Sequence, residues 1–176
     1  MNKKVRQTVL AAFFLALALV LPFLTGQIPQ VGQVLSPMHI PVLLCGFVCG
    51  GPWGMLVGFV APLLRNLLFH APPYPMAAAM AFELAAYGLL SGLIYKVLPK
   101  KIPYVYVTLI LSMLGGRLVW GLARYGLAVL NKLEFSFDLF LKGAFITAWP
   151  GIVLHLLIIP PLFIALKKAK LMPEDQ

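Results

Sequence analysis

The sequence predicts an all-α integral membrane protein, a bundle of six transmembrane helices with both termini in the cytoplasm. Three observations lead there. Of 176 residues, 61% are hydrophobic and only 11% charged, with a mean hydropathy of +0.95. A soluble domain of this length is near half apolar and about a quarter charged, so this surface suits lipid rather than water. The apolar residues form long runs broken by proline and glycine, and most lysines sit at the ends of those runs as topology signals. That placement sets aside nucleic-acid binding, which the formal charge of +9 would otherwise suggest.

The first element is MNKKVRQTVLAAFFLALALVLPFLTG, a basic start followed by about 17 apolar residues, longer than a signal-peptide core. With no clear small-residue cleavage site after it, it reads as a retained helix near residues 7–25. The polar loop GQIPQVGQVLSPM follows. The apolar region 39–69 is split by GGPWG at 50–54. Proline inside a helix removes a hydrogen bond and clashes with the preceding turn. Two shorter helices, about 39–50 and 53–69, joined by a tight hairpin, are therefore expected. HAPPYP at 70–75 precedes a helix near 76–97, and the basic loop PKKIP precedes one at about 104–130. NKLEFSFD separates the last helix, about 139–167, and a single membrane domain is expected to fill residues 1–176.

Charge orients the bundle. With a cytoplasmic N-terminus, the inner segments hold Lys3, Lys4, Arg6, Lys96, Lys100, Lys101, Lys167, Lys168 and Lys170. The outer ends hold only Arg65, Lys132 and Lys142, as the positive-inside rule requires. The loops 26–38, 70–75 and 131–138 then face outward, and the expected location is the cytoplasmic membrane. Small residues recur every four positions: Ala12 and Ala16; Gly46, Gly50, Gly54 and Gly58; Gly88 and Gly92. Such rows let helix backbones approach closely in lipid. For the glycines the preferred reading is packing within the bundle; for Ala12 and Ala16 a face turned to a partner also stands. Cys45 and Cys49 lack nearby His or Asp partners and read as buried small hydrophobes.

Ionisable groups inside a bilayer cost several kcal/mol unless they face a cavity or a partner. Glu83 lies about 10 Å below the outer end of its helix at 1.5 Å per residue. Trp149 lies at a similar depth, His155 and Arg117 are nearer the middle, and Arg124 and Arg65 are nearer the outer ends. Arg117, Trp120, Gly121 and Arg124 follow the i, i+3, i+4, i+7 spacing of one helical stripe. Ala79, Glu83, Tyr87 and Ser91 form a second stripe, and Thr147, Trp149, Pro150 and His155 come from the last helix. Aromatic walls with a few placed polar groups describe a small-molecule site opening outward. His39 and His70 sit at loop boundaries beside its expected mouth. A second reading stands for each member: a structural Glu83–Arg117 pair, snorkelling of Arg124 and Arg65, belt or core roles for Trp120 and Trp149, and a core role for His155. Three arginines against one glutamate leave the pocket positive, which suits a carboxylate in arginine's bidentate fork. The chain carries no HExxH, GxSxG or Walker motif and no paired acids, so no catalytic residue, metal or cofactor is expected.

The run LSPMHIPVLLCGFVCGGPWGMLVGFVAPLLR at 35–65, FELAAYGLLSGLIY at 82–95, and Ala12 with Ala16 resemble the substrate-binding S component of energy-coupling factor (ECF) vitamin transporters. The resemblance covers essentially the whole chain. It implies a six-helix bundle that captures a vitamin-like micronutrient from outside and docks on a membrane scaffold subunit with two ATPases. It further implies docking through Ala12 and Ala16, a substrate held by helices four to six, a cover from the loop at about 26–38, and toppling of the bundle for release. The ligand contacts come from the residues themselves: Arg124, Arg117, Glu83, Trp149, Trp120, Tyr87, Thr147, His155, Asn66 and His39. Pantothenate matches this set, with its carboxylate on an arginine and its hydroxyls and amide on Glu83, Asn66, Thr147 or His155. Folate needs a larger pocket and cationic thiamine suits it poorly. The competing readings are a stand-alone carrier or channel, against which the lack of a clear inverted repeat argues, and a small intramembrane enzyme. Of the two arginines on one stripe, Arg124 is the expected ligand contact and Arg117 the expected partner of Glu83.

Overall fold

Gly50 decides how the second apolar region folds. Its φ of 94° and ψ of 163° lie where only glycine rests without strain. Its N–H closes one helix on Gly46 O, and its carbonyl opens the next by accepting from Gly54, both at 3.0 Å. Pro52 falls in the first turn of the second helix, where its missing N–H costs nothing. The hairpin expected at 50–54 is thus a single residue.

The computed structural model describes residues 2–25, 32, 34–131, 136–169 and 171–172, and regular structure among them is entirely helical. In order, α1 (Lys3–Val20) runs into a 3-10 turn (Leu21–Thr25). Then come α2 (His39–Cys49), α3 (Gly51–Phe69), α4 (Met76–Val97) and α5 (Ile102–Leu130). Last are α6 (Phe137–Leu141), a π turn (Lys142–Ile146) and α7 (Trp149–Lys168).

Where six transmembrane helices are expected, the described residues hold five helical segments long and apolar enough to span a membrane, α6 to α7 counting as one, and a shorter sixth helix. The shorter helix is α2. Its eleven residues reach about 16 Å at 1.5 Å each, against roughly 30 Å of hydrocarbon. Every one of them is buried, because α2 sits among α1, α3, α4 and α7 as an internal helix. The glycine rows make that packing possible. A Cβ on Gly54 would stand 2.5 Å from Gly88 O, and one on Gly46 would meet Ser91 Oγ and Gly88 O. The rows are therefore contact surfaces inside the bundle. Phe47, Tyr95 and Phe163 meet edge to face with centroids 5.3–5.4 Å apart and tie α2, α4 and α7 together. Cys45 and Cys49 are free thiols within this core.

The final segment, expected as one helix over 139–167, is interrupted. A proline at 150 offers no N–H and its ring opposes the carbonyl four residues earlier. The chain answers one turn ahead by widening, with Thr147 N–H reaching Lys142 O at 2.8 Å. At the opposite end of the bundle the lysines converge. Partial burial, with Lys167 and Lys96 nearby, pushes the Lys100 ammonium below its ordinary range.

Because α2 starts deep in the bundle, residues 34–38 descend among the helices to reach it. Gly151 of α7 admits the Val34 carbonyl, which a Cβ there would approach to 2.6 Å. His155 Nε2 lies 3.2 Å from Ser36 O. Residues 34 and 35 are helical and the chain leaves helical form over 36–38, backbone that is tolerated at such depth where it is enclosed by protein or lines a cavity.

Candidate ligand-binding cavity

A cavity of about 290 Å³ opens at the end of the bundle away from the lysines. Its walls come from α4 (Met76, Met80, Glu83) and α5 (Arg117, Trp120, Arg124). Gly143, Thr147 and Ala148 of the widened turn add a third side. Pro22 of the 3-10 turn, Gly32, Ser36, Pro37 and Met38, and Ala71, Pro72 and Pro73 complete it, together with His39 and Arg65.

The charges are arranged at two levels. Deep inside, Arg117 Nη1 stands 2.9 Å from Glu83 Oε1 with both side chains buried. His39 Nε2 lies 3.6 Å from the same oxygen. The His39 ring stacks on His155 at 5.6 Å and tilts against Tyr87 at 5.1 Å. Nearer the mouth, the Arg124 guanidinium lies 5.9 Å from the Trp120 ring centre. It has no ion pair among the described residues, and its buried Nε has no hydrogen-bond partner there. Arg65 is only 3% exposed. It donates to Leu19 O and is boxed by Phe23 and Phe69, whose ring centres lie 5.0 and 5.3 Å away. Three guanidinium groups thus face the cavity against one carboxylate.

The expected site residues separate into three groups. Arg124, Arg117, Glu83, Trp120, Thr147 and His39 line the cavity. Tyr87 and His155 lie behind the floor, fully buried, and Asn66 braces the rim by donating to Pro72 O at 2.7 Å. Trp149 is 62% exposed and does not line the cavity. The widened turn breaks the continuous helical register that its placement assumed, and the ring takes the outward position of a belt aromatic. His39 is corrected too: it is 2% exposed, at the floor rather than the mouth, because the preceding loop carries α2 inward. His70 stays exposed at the end of α3. Gly121 is covered by Phe140, which packs over it as Trp120 packs over Gly143. The methionines join the lining unforeseen, and Arg65, expected to add to the pocket's positive charge but not as a contact, lines it too. Met76, Met80 and Glu83 carry helical spacing, a signal present in the sequence.

The loops expected at 26–38 and 131–138 are only partly placed; residues 26–31, 33 and 132–135 lie outside those described. The family described as "ECF transporter, substrate-specific component" matches residues 6–164. The chain belongs to that family. No curated protein and no solved structure matches it. As an S component it is a multi-pass membrane protein and the substrate-specific subunit of a transporter. Membership assigns it a small-molecule substrate and work alongside the ECF scaffold and ATPase modules.

Proposed function

We propose that this S component captures a small acidic micronutrient, with pantothenate the leading candidate, and delivers it through a scaffold subunit served by two ATPases. The observation that carries this reading is the three-to-one excess of guanidinium over carboxylate around one cavity. Glu83 neutralises Arg117, and Arg65 is held by Leu19 O between Phe23 and Phe69, so Arg124 is the guanidinium best placed to hold a ligand carboxylate in its two-pronged donor fork. The cavity's size sits at the low end of the roughly 300–1,000 Å³ usual for small-molecule sites, which favours pantothenate over folate.

The charge distribution supports a mouth on the outer face of the cytoplasmic membrane and both termini inside. Gly32, Ser36, Pro37 and Met38 in the lining support a cover formed by the 26–38 segment. Ala12 and Ala16 are exposed on α1 while Ala11, Phe14 and Ala18 turn inward, which supports scaffold docking through the alanine face.

Equilibrium binding of pantothenate to purified wild type and Arg124→Ala tests the assignment. The variant should lose more than tenfold in affinity. Unchanged affinity removes Arg124 from the site. In vesicles, uptake should require the scaffold and ATPases, and sustained concentrative uptake by this chain alone would refute the subunit role.

A further inference from the structure

The geometry points to a two-ended substrate: a carboxylate held near the mouth and a neutral hydroxyl or amide hydrogen-bonded to His39 at the floor. This rests on the acidic-ligand reading and adds the chemistry of the far end. The 2.9 Å contact between Glu83 and Arg117 fixes the level at which α4 and α5 match. From there toward the mouth, α4 presents Met80 and then Met76, while α5 presents Trp120 and then Arg124. Glu83 to Met76 and Arg117 to Arg124 are each seven residues, about 10 Å of helix at 1.5 Å per residue. The cavity therefore changes character along its depth, from Arg124, a cation with no ion pair among the described residues, through an apolar waist of Met80 and Trp120, to a polar floor.

The floor asks for a partner. His39 is 2% exposed and lines the cavity, yet neither of its ring nitrogens has a hydrogen-bond partner among the described residues. Arg117 Nε is in the same condition. Buried donors and acceptors are costly to leave unmade, so an apolar ligand tail would seal these groups away unpaired. A second carboxylate fares no better, because the floor's cation is already engaged and Glu83 would repel it. A neutral hydroxyl or amide answers both constraints, since imidazole offers one donor and one acceptor.

Four probes of comparable length decide the matter in calorimetric titrations of the purified full chain: pantothenate, octanoate, suberate and pantothenol. Pantothenate should bind at least tenfold more tightly than octanoate, suberate and pantothenol. Octanoate or suberate matching pantothenate overturns the two-ended site while leaving the acidic reading intact. Pantothenol matching pantothenate overturns the acidic reading and the inference with it, and binding of none of the four overturns the two-ended site. His39→Phe keeps the ring stacking and should cost pantothenate at least tenfold without weakening octanoate. His39→Gln, which keeps a donor and an acceptor, should retain pantothenate binding within about threefold. Equal losses of both ligands in His39→Phe, or no loss in either variant, would also overturn it.

Discussion

Glu83 and Arg117 offset each other's charge in a place where either alone would be an uncompensated buried ion. Replacing one partner of a buried pair costs about 3–5 kcal/mol, because the other is left uncompensated, whereas replacing both with apolar groups is often neutral. Arg117→Ala should therefore lower the stability of the purified protein by that order, and Arg117→Met with Glu83→Leu should recover most of it. Unfolding in detergent reads this directly; equal losses in the two variants would mean the pair is not what supports the floor. Arg124 belongs to the opposite class. With no ion pair among the described residues, its removal should spare the melting temperature while weakening the ligand. The members of this site were legible in the sequence as far as rarity carries: charges in apolar helices are exceptional, and Arg117, Glu83, Arg124 and Trp120 all reach the cavity. Direction was less legible. Arg65 near a helix end resembles a snorkelling side chain until Phe23, distant in sequence, joins Phe69 one turn along its own helix to close around it.

At the scale of elements, the bundle depends on how closely α3 and α4 approach. Gly54 and Gly88 leave no room for a side chain between them, so Gly54→Val should push the helices apart and sharply lower thermal stability. Gly126 on α5 has nothing within 4 Å of its missing Cβ. Gly126→Ala should be neutral or stabilising by up to about 1 kcal/mol from helix propensity. A melting comparison checks both, and a tolerant Gly54→Val would contradict the packing account. Helix limits were readable because proline and glycine punctuate an otherwise continuous apolar sequence. What apolarity alone did not reveal was the difference between a helix in lipid and one inside protein, since both are hydrophobic all round. Only the length of α2 separates them. The widened turn before Pro150 was similarly hidden, and with it the outward swing of Trp149.

The whole molecule divides its tasks between two ends and one face. The arginine-rich cavity occupies one end, Lys96, Lys100 and Lys167 gather at the other, and α1 presents Ala12 and Ala16 outward between them. Replacing Ala12 and Ala16 with Trp should abolish uptake by the assembled transporter while leaving ligand affinity within about twofold, because these positions lie outside the core. A loss of both would place the alanine face in the folding of the subunit rather than in docking. The central claim is that the cavity holds a small acid. Mass spectrometry of the molecule retained by purified wild type and by Arg124→Ala tests it most directly. The account predicts a monocarboxylic acid bound to wild type and lost from the variant; a cationic or uncharged compound retained by both would contradict it.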